Sequence, residues 1–267
     1  TQKEVEIIAR LLGILIGNGG IYINESGECS GYIGTEVEDD AMEITEDIMK
    51  LGFGRPSRDL RWINLSGTCS CFFKCVGNYP NTYLSHKNFP LWLNDANSRI
   101  KREFLSAFRS GRNKRLPEEE VQMPLLSTFL TTNKDGLPST IEYMKTVAAL
   151  YKEFGIESQI VDKEEPVPDT YSVAIEFDQK FENIIRHTSN IDYRYNYLAS
   201  KRASISAEYM LYIRHIMQKQ ENKGKTEFTV YEPETFAREY MEQNSMVAIP
   251  IESIEEIEPE YVYDFET

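Results

Sequence analysis

Positive charge is what this sequence lacks most. Its 29 Lys and Arg stand against 43 Asp and Glu, a formal net charge of −14 and a pI near 4.8. As an average, this argues against a nucleic-acid partner, because phosphate binding needs concentrated cations. Local distribution carries more weight than the mean. Long hydrophobic runs are missing too. None approaches the roughly 20 apolar residues of a membrane-spanning helix, and no N-terminal stretch reads as a signal peptide or lipidation site. An intracellular chain with no membrane partner is expected. Zinc-ligand spacing is also wanting. Three of the four cysteines lie in Thr68-Cys69-Ser70-Cys71-Phe72-Phe73-Lys74-Cys75. There Cys69, Cys71, Phe73 and Cys75 alternate along one face of a predicted strand. No His lies nearby, so structural burial of reduced thiols is expected rather than a metal site. His86, His187 and His215 share no spacing and read as structural or surface residues. What remains, at 41% hydrophobic and 27% charged, is an ordinary globular composition, long enough for one large domain or two smaller ones.

The hydrophobic spacing then orders the elements. Lys3–Ile16 is a predicted helix, with Val5, Ile8, Leu11, Leu12, Leu15 and Ile16 at helical intervals, stopped by Gly17, Gly19 and Gly20. Ile21–Ile23 and Cys29–Thr35 read as strands about the turn Asn24-Glu25-Ser26-Gly27. Asp39–Leu51 is an amphipathic helix with Ala41, Ile44, Ile48 and Met49 inward. Arg58–Leu65 and Thr68–Val76 read as a hairpin turning at Ser66-Gly67. The order then repeats: a helix over Arg99–Phe108, a strand over Met123–Thr132, a helix over Ser139–Phe154, strands over Ile156–Val161 and Tyr171–Phe177, and helices over Phe181–Arg186 and Ser200–Lys219. Gln220–Thr226 reads as a linker. Pro233–Gln243 reads as a short helix, and Met246–Glu252 and Glu260–Phe265 as strands.

Gly17 and Gly111, which end the first helix of each unit, stand 94 residues apart. A repeat of this kind implies a pseudo-two-fold molecule whose first helices meet at the axis. Such a meeting needs small residues, and Gly13 with Ala107, and Gly17 with Gly111, occupy equivalent positions. The fold class expected is α+β: two pseudo-symmetric αββαββα repeats forming a saddle-shaped sheet pair, helices packed behind, and a two-helix central interface. Residues 1–98 form the first repeat, 99–219 the second, and 220–267 a linker and a fragment of a further unit.

This plan resembles the LAGLIDADG homing endonucleases, in particular those carried inside inteins. Leu11-Leu12-Gly13-Ile14-Leu15-Ile16-Gly17-Asn18-Gly19 is similar to the first signature helix. His86-Lys87-Asn88-Phe89-Pro90-Leu91-Trp92-Leu93 resembles the Lys-x-x-Pro segment before the second. Arg102-Glu103-Phe104-Leu105-Ser106-Ala107-Phe108 resembles the opening of that second helix. The run 147–160 with Tyr171-Ser172-Val173-Ala174-Ile175, and then Asn190-Ile191-Asp192-Tyr193-Arg194-Tyr195, look like later family segments. Glu260-Tyr261-Val262-Tyr263-Asp264-Phe265 is similar to the start of an intein C-terminal splicing segment. The order and spacing across about 250 residues carry the match. The resemblance implies a monomer that binds double-stranded DNA, with a host intein splicing domain in cis. Neither the N-terminal splicing nucleophile with its Thr-x-x-His segment nor the terminal His-Asn is visible, so the chain as given is not expected to splice itself.

The resemblance also implies Mg²⁺, held by the last acid of each signature helix so that a water can attack a scissile phosphate. The positions that match are Asn18 and Arg112, a neutral amide and a permanent cation. No acid lies between Ala9 and Asn24, nor between Phe104 and Pro117. Metal-dependent cleavage is therefore expected to be lost or impaired, with Mg²⁺ poorly bound; the alternatives are an active site-specific endonuclease using other ligands, or a non-enzymatic degenerate insert. Lys74 and Lys201 are the candidates for the family's water-positioning lysines, or are ordinary surface lysines. For DNA contact, Arg99, Lys101, Arg102, Arg109, Arg112, Lys114 and Arg115 put seven cations in seventeen residues against one acid, Glu103. Arg194, Lys201 and Arg202 are interleaved with Tyr193, Tyr195 and Tyr197. Arg55, Arg58, Arg61 and Lys74 decorate the first hairpin. Each cluster reads either as a phosphate-contacting face or as a solvated one.

Overall fold

The structure, a computed structural model, describes residues 1–24, 26–35, 37–59, 61–79, 88–110, 127–178, 180–196, 200 and 207–214. Expectations for Gly111, Arg112, Lys114, Arg115, Lys201, Arg202 and everything beyond 214 lie outside the described residues.

Helix α1 (Gln2–Asn18) opens on a capping box. The Thr1 hydroxyl accepts from the Glu4 amide while the Glu4 carboxylate reaches back to the Thr1 nitrogen. It runs two residues past its expected end at Ile16. Gly19 is already extended (φ −143°) and pairs with Ile33, so the helix passes straight into β1 (Gly19–Ile23) without a left-handed cap. The chain turns at Gly27 (φ +84°) into β2 (Cys29–Gly34). Then follow α2 (Glu38–Lys50), β3 (Ser57–Arg58) and β4 (Trp62–Leu65). The order across this antiparallel sheet is β1-β2-β4-β3.

The expected strand over Thr68–Val76 is a helix, α3 (Gly67–Val76). The hairpin instead turns between β3 and β4, and Ser66 is not a turn residue but an N-cap whose hydroxyl accepts from the Cys69 amide. Even spacing misled the reading: positions 69 and 73 share a strand face, but they also share a helix face. Burial separates the two cases. Cys69 and Phe73 are buried, whereas Cys71 and Cys75 are exposed. Burial pushes the Cys69 thiol up to about 12. In α2, Met49 faces solvent instead of the core, at 48% exposure.

After a 3₁₀ turn (Leu91–Leu93) come α4 (Ser98–Ser110), β5 (Ser127–Thr132), α5 (Leu137–Glu153), β6 (Ser158–Glu164), β7 (Tyr171–Phe177) and α6 (Phe181–Asn190). The second antiparallel sheet has the order β5-β7-β6, and residues 207–214 are helical. The architecture is α+β, with one face of each antiparallel sheet buried under helices. Ile21, Ile33 and Ile63 of the first sheet, and Leu130, Val173 and Ile175 of the second, are at most 2% exposed.

The expected two-helix interface is present. Among the described residues, α1 and α4 pack together more extensively than any other pair of elements. At Gly13 an added Cβ would overlap the Phe104 carbonyl oxygen and lie 2.8 Å from the Phe108 nitrogen and 3.1 Å from Ala107 Cβ. The two backbones touch where Gly13 meets Ala107. Gly17 is buried further along the same helix.

Candidate nucleic-acid interface

Strand pairing fixes which residues share each sheet's open face, because directly opposed residues point the same way. On the first sheet these are Gly20, Tyr22, Ser30, Tyr32, Gly34, Ser57, Trp62 and Asn64. On the second they are Ser127, Phe129, Thr131, Gln159, Val161, Lys163, Ser172, Ala174 and Glu176. Together they hold one cation and one acid. Sequence reasoning placed the binding chemistry in clustered Arg and Lys and passed over Tyr22, Tyr32 and Trp62. Alternation within the strands 21–23, 29–35 and 58–65 was the signal that could have found them.

Asn18, the last residue of α1, sits at the end of the first open face. Its side-chain nitrogen donates to Gly34 O at 2.9 Å. A carbonyl can only accept, so the amide must turn its NH₂ towards Gly34. A carboxylate here could not make this bond. Among the described residues no three His, Cys, Asp or Glu gather as a metal set; at position 18 the donor is a neutral amide, a poor match for hard Mg²⁺.

The other expected cations go several ways. Lys74 was placed on a hairpin strand; it lies on α3, and its ammonium donates to Tyr79 O at 2.9 Å, so the matching strand position that made it a candidate does not exist. Arg55 is exposed ahead of β3, and Arg61 is exposed in the turn before β4. Arg58, opposite Ile63, belongs to the helix-facing side and pairs with Glu38 of α2. Arg194 is held over the helices, with Nη1 at 3.5 Å from Glu43 and Nε at 3.4 Å from Glu103. It borders a cleft of about 220 Å³ that is also lined by Asp40 and Asp192. Burial pushes the Glu43 carboxyl up, against the pull of Arg194. Eight residues of α1, roughly 12 Å of helix, separate Arg10 in this charged layer from Asn18.

The basic run on α4 divides: Lys101 and Arg109 are buried, while Arg99 and Arg102 are exposed. Arg99 pairs with Glu6 at 3.1 Å, and Lys101 with Glu153 at 2.7 Å. Arg109 is 1% exposed. Its guanidinium lies 4.8 Å from the Phe177 ring centre and 4.9 Å from that of Tyr193, donates from Nε to Tyr193 OH at 2.8 Å, and places Nη1 2.7 Å from His187 Nε2. Arg109 can only donate, so His187 accepts through an unprotonated Nε2. Burial, and then the Arg109 charge, hold the His187 pKa well below its ordinary value.

This gives a stability prediction. Unfolded, His187 takes up a proton below about pH 6.5, while folded it does not. Its contribution is therefore complete above that pH and falls as pH drops, by up to about 1.4 kcal/mol per unit. Glu43, raised in the fold, acts in the opposite sense. Chemical denaturation between pH 6.5 and 5.5 should therefore show a steeper loss in the wild type than in His187→Gln. Equal slopes would refute the assignment of the loss to His187.

No family model matches the chain. Two curated proteins are similar to it along almost its whole length. The tRNA-splicing ligase RtcB of Pyrococcus abyssi is 23% identical over 280 aligned positions, covering 97% of this chain and 30% of that protein. The DNA-directed RNA polymerase subunit Rpo1N of Methanocaldococcus jannaschii is 24% identical over 302, covering 100% and 22%. The chain thus spans less than a third of each relative. Among solved structures, a mesophilic variant of the homing endonuclease I-DmoI aligns with 71% of this chain and 97% of its own at 15% identity and a TM-score of 0.47. I-DmoI in complex with DNA and Ca aligns with 76% and 97% at 16% identity and a TM-score of 0.47.

Proposed function

We propose that this chain is the LAGLIDADG endonuclease portion of an intein, that it binds double-stranded DNA, and that its metal-dependent phosphodiester cleavage is lost or impaired. One observation carries the intein reading. The whole chain is similar to a fraction of an RNA ligase and, separately, to a fraction of an RNA polymerase subunit. Those two proteins share no activity in their names. A segment common to both is most simply an insert, with a host splicing region in cis. The central helix pair, closed at Gly13 and Ala107, supports the pseudo-dimeric endonuclease reading. It sets Asn18 at the tip of one helix, where the family places a metal-binding acid.

With an amide at 18 and Arg at 112, the chain's own groups offer no hard anionic donor at the matching positions. Asn18 instead holds the helix tip to the end of β2. A second reading is a non-enzymatic insert. The burial of Lys101 and Arg109 within the fold favours it.

The wild type should give no calorimetric heat with Ca²⁺ or Mg²⁺, while Asn18→Asp with Arg112→Asp should restore binding. Silence in the double variant would refute the placement of the site. Binding to labelled duplex DNA at low salt that weakens as salt rises supports the DNA reading. Its absence supports the bare insert.

A further inference from the structure

We propose that the open face of the first sheet reads duplex DNA through thymine C5-methyl groups, with Trp62, Tyr32 and Tyr22 as specificity-determining contacts. The inference rests on the DNA-binding reading above. Trp62 is 41% exposed and Tyr22 45%. Tyr32 lies between them across β2, its ring edge-on to Trp62 at 5.0 Å and 86°. Neighbouring exposed aromatics on one face mark a contact surface rather than chance exposure.

Two glycines make room for the rings. A Cβ at Gly34 would meet the Trp62 ring at 2.8 Å, and one at Gly20 would meet the Tyr32 ring at 3.1 to 3.2 Å. Each position carries no side chain where an aromatic ring lies along the sheet.

The charge layout suits a duplex groove. The face itself carries no charged residue, and Arg55 and Arg61 are exposed just ahead of β3 and β4. A major groove likewise presents uncharged base edges, its charge confined to the backbones. In it the thymine methyl is the apolar feature, and an Asn side chain pairs with adenine N6 and N7. Asn64 stands directly opposite Tyr32, so one patch holds a reader for each base of an A·T pair. No Arg or Lys projects from this face to take the guanine edge.

The test uses the full chain and labelled duplexes at low salt: alternating A·T, the same duplex with dU for dT, and alternating G·C. The A·T duplex should bind best, and dU should weaken binding about fourfold for each methyl contacted. Trp62→Ala should lose about fourfold of the preference for dT over dU, while Trp62→Phe keeps it. Equal wild-type affinity for dT and dU overturns the proposal and leaves DNA binding standing. So does full discrimination retained in Trp62→Ala, which would assign the effect to duplex shape. Absence of binding to all three duplexes overturns the DNA reading and this proposal together. The wild-type comparison decides even where Trp62→Ala fails to fold.

Discussion

Replacing Gly13 with valine should destabilise the chain by at least about 3 kcal/mol, the upper range for overpacking a tight site. For a chain of this size that is a fall in melting temperature of roughly 6 to 12 °C. The reason lies in what a side chain would strike. An added Cβ would overlap Phe104 O and approach Phe108 N to 2.8 Å, both backbone atoms of α4. No rotamer change can move them, so the helices must separate. Separation would open the core around Leu12, Leu105 and Phe108, each fully buried. Gly13→Ala should fall between valine and wild type. Gly27→Ala is the control: its φ of +84° costs backbone strain, but an added Cβ meets nothing, so about 1 kcal/mol is expected. A melting temperature within about 2 °C of wild type for Gly13→Val would refute the close approach.

That interface was legible because the sequence repeats. Small residues at the same offset in the first helix of each unit point to a close contact between them, and Gly13 and Ala107 do meet. Alternation was a weaker guide. It placed β7 at its observed ends, Tyr171 and Phe177, yet turned a helix into a strand at 68–76. The pair 69 and 73 fits either period, and in the sequence only the Ser66 cap could have separated the two. The candidate site was half legible. Asn18 could be placed from the end of the first helix. The fate of the cations could not, because a run of Arg and Lys on a helix says nothing of what packs against it. Arg109 looked like a phosphate ligand, but partners brought from Phe177, His187 and Tyr193 bury it. The aromatic face went unread for a related reason: burial on the opposite side of each strand dominates the pattern, and the open side is left over.

Asp47→Ala should destabilise the chain by about 3 kcal/mol or more, through a network that crosses both repeats. Asp47 is 0% exposed. It accepts from Arg10 Nε and Nη2, both at 2.7 Å, and from Tyr195 OH at 2.6 Å. Arg10 Nη1 also reaches Glu103 at 3.2 Å. One carboxylate thus ties α1 and α2 to the 190–195 segment, and Arg10 carries the link on to α4. Burial works against the Arg10 charge most, yet the bond to Asp47 and the surrounding negative charges together outweigh it and hold the guanidinium above its ordinary pKa. Burial, then the Asp47 charge, pushes the Tyr195 hydroxyl well up, so it stays protonated and donates. Removing the carboxylate strands a nearly buried cation and a buried hydroxyl. Glu103 still holds one side of Arg10, which places the cost nearer about 3 than about 5 kcal/mol. Two comparisons separate this from ordinary cavity formation. Asp47→Leu with Arg10→Met removes both charges and should be more stable than Asp47→Leu alone, because an apolar replacement of a buried pair leaves no stranded ion. Hydrogen exchange in Asp47→Ala should rise first at 187–196, the segment whose anchor at Tyr195 is cut. A denaturant-measured loss under about 1 kcal/mol, or a double variant no better than the single, would show that the network does not hold the repeats together.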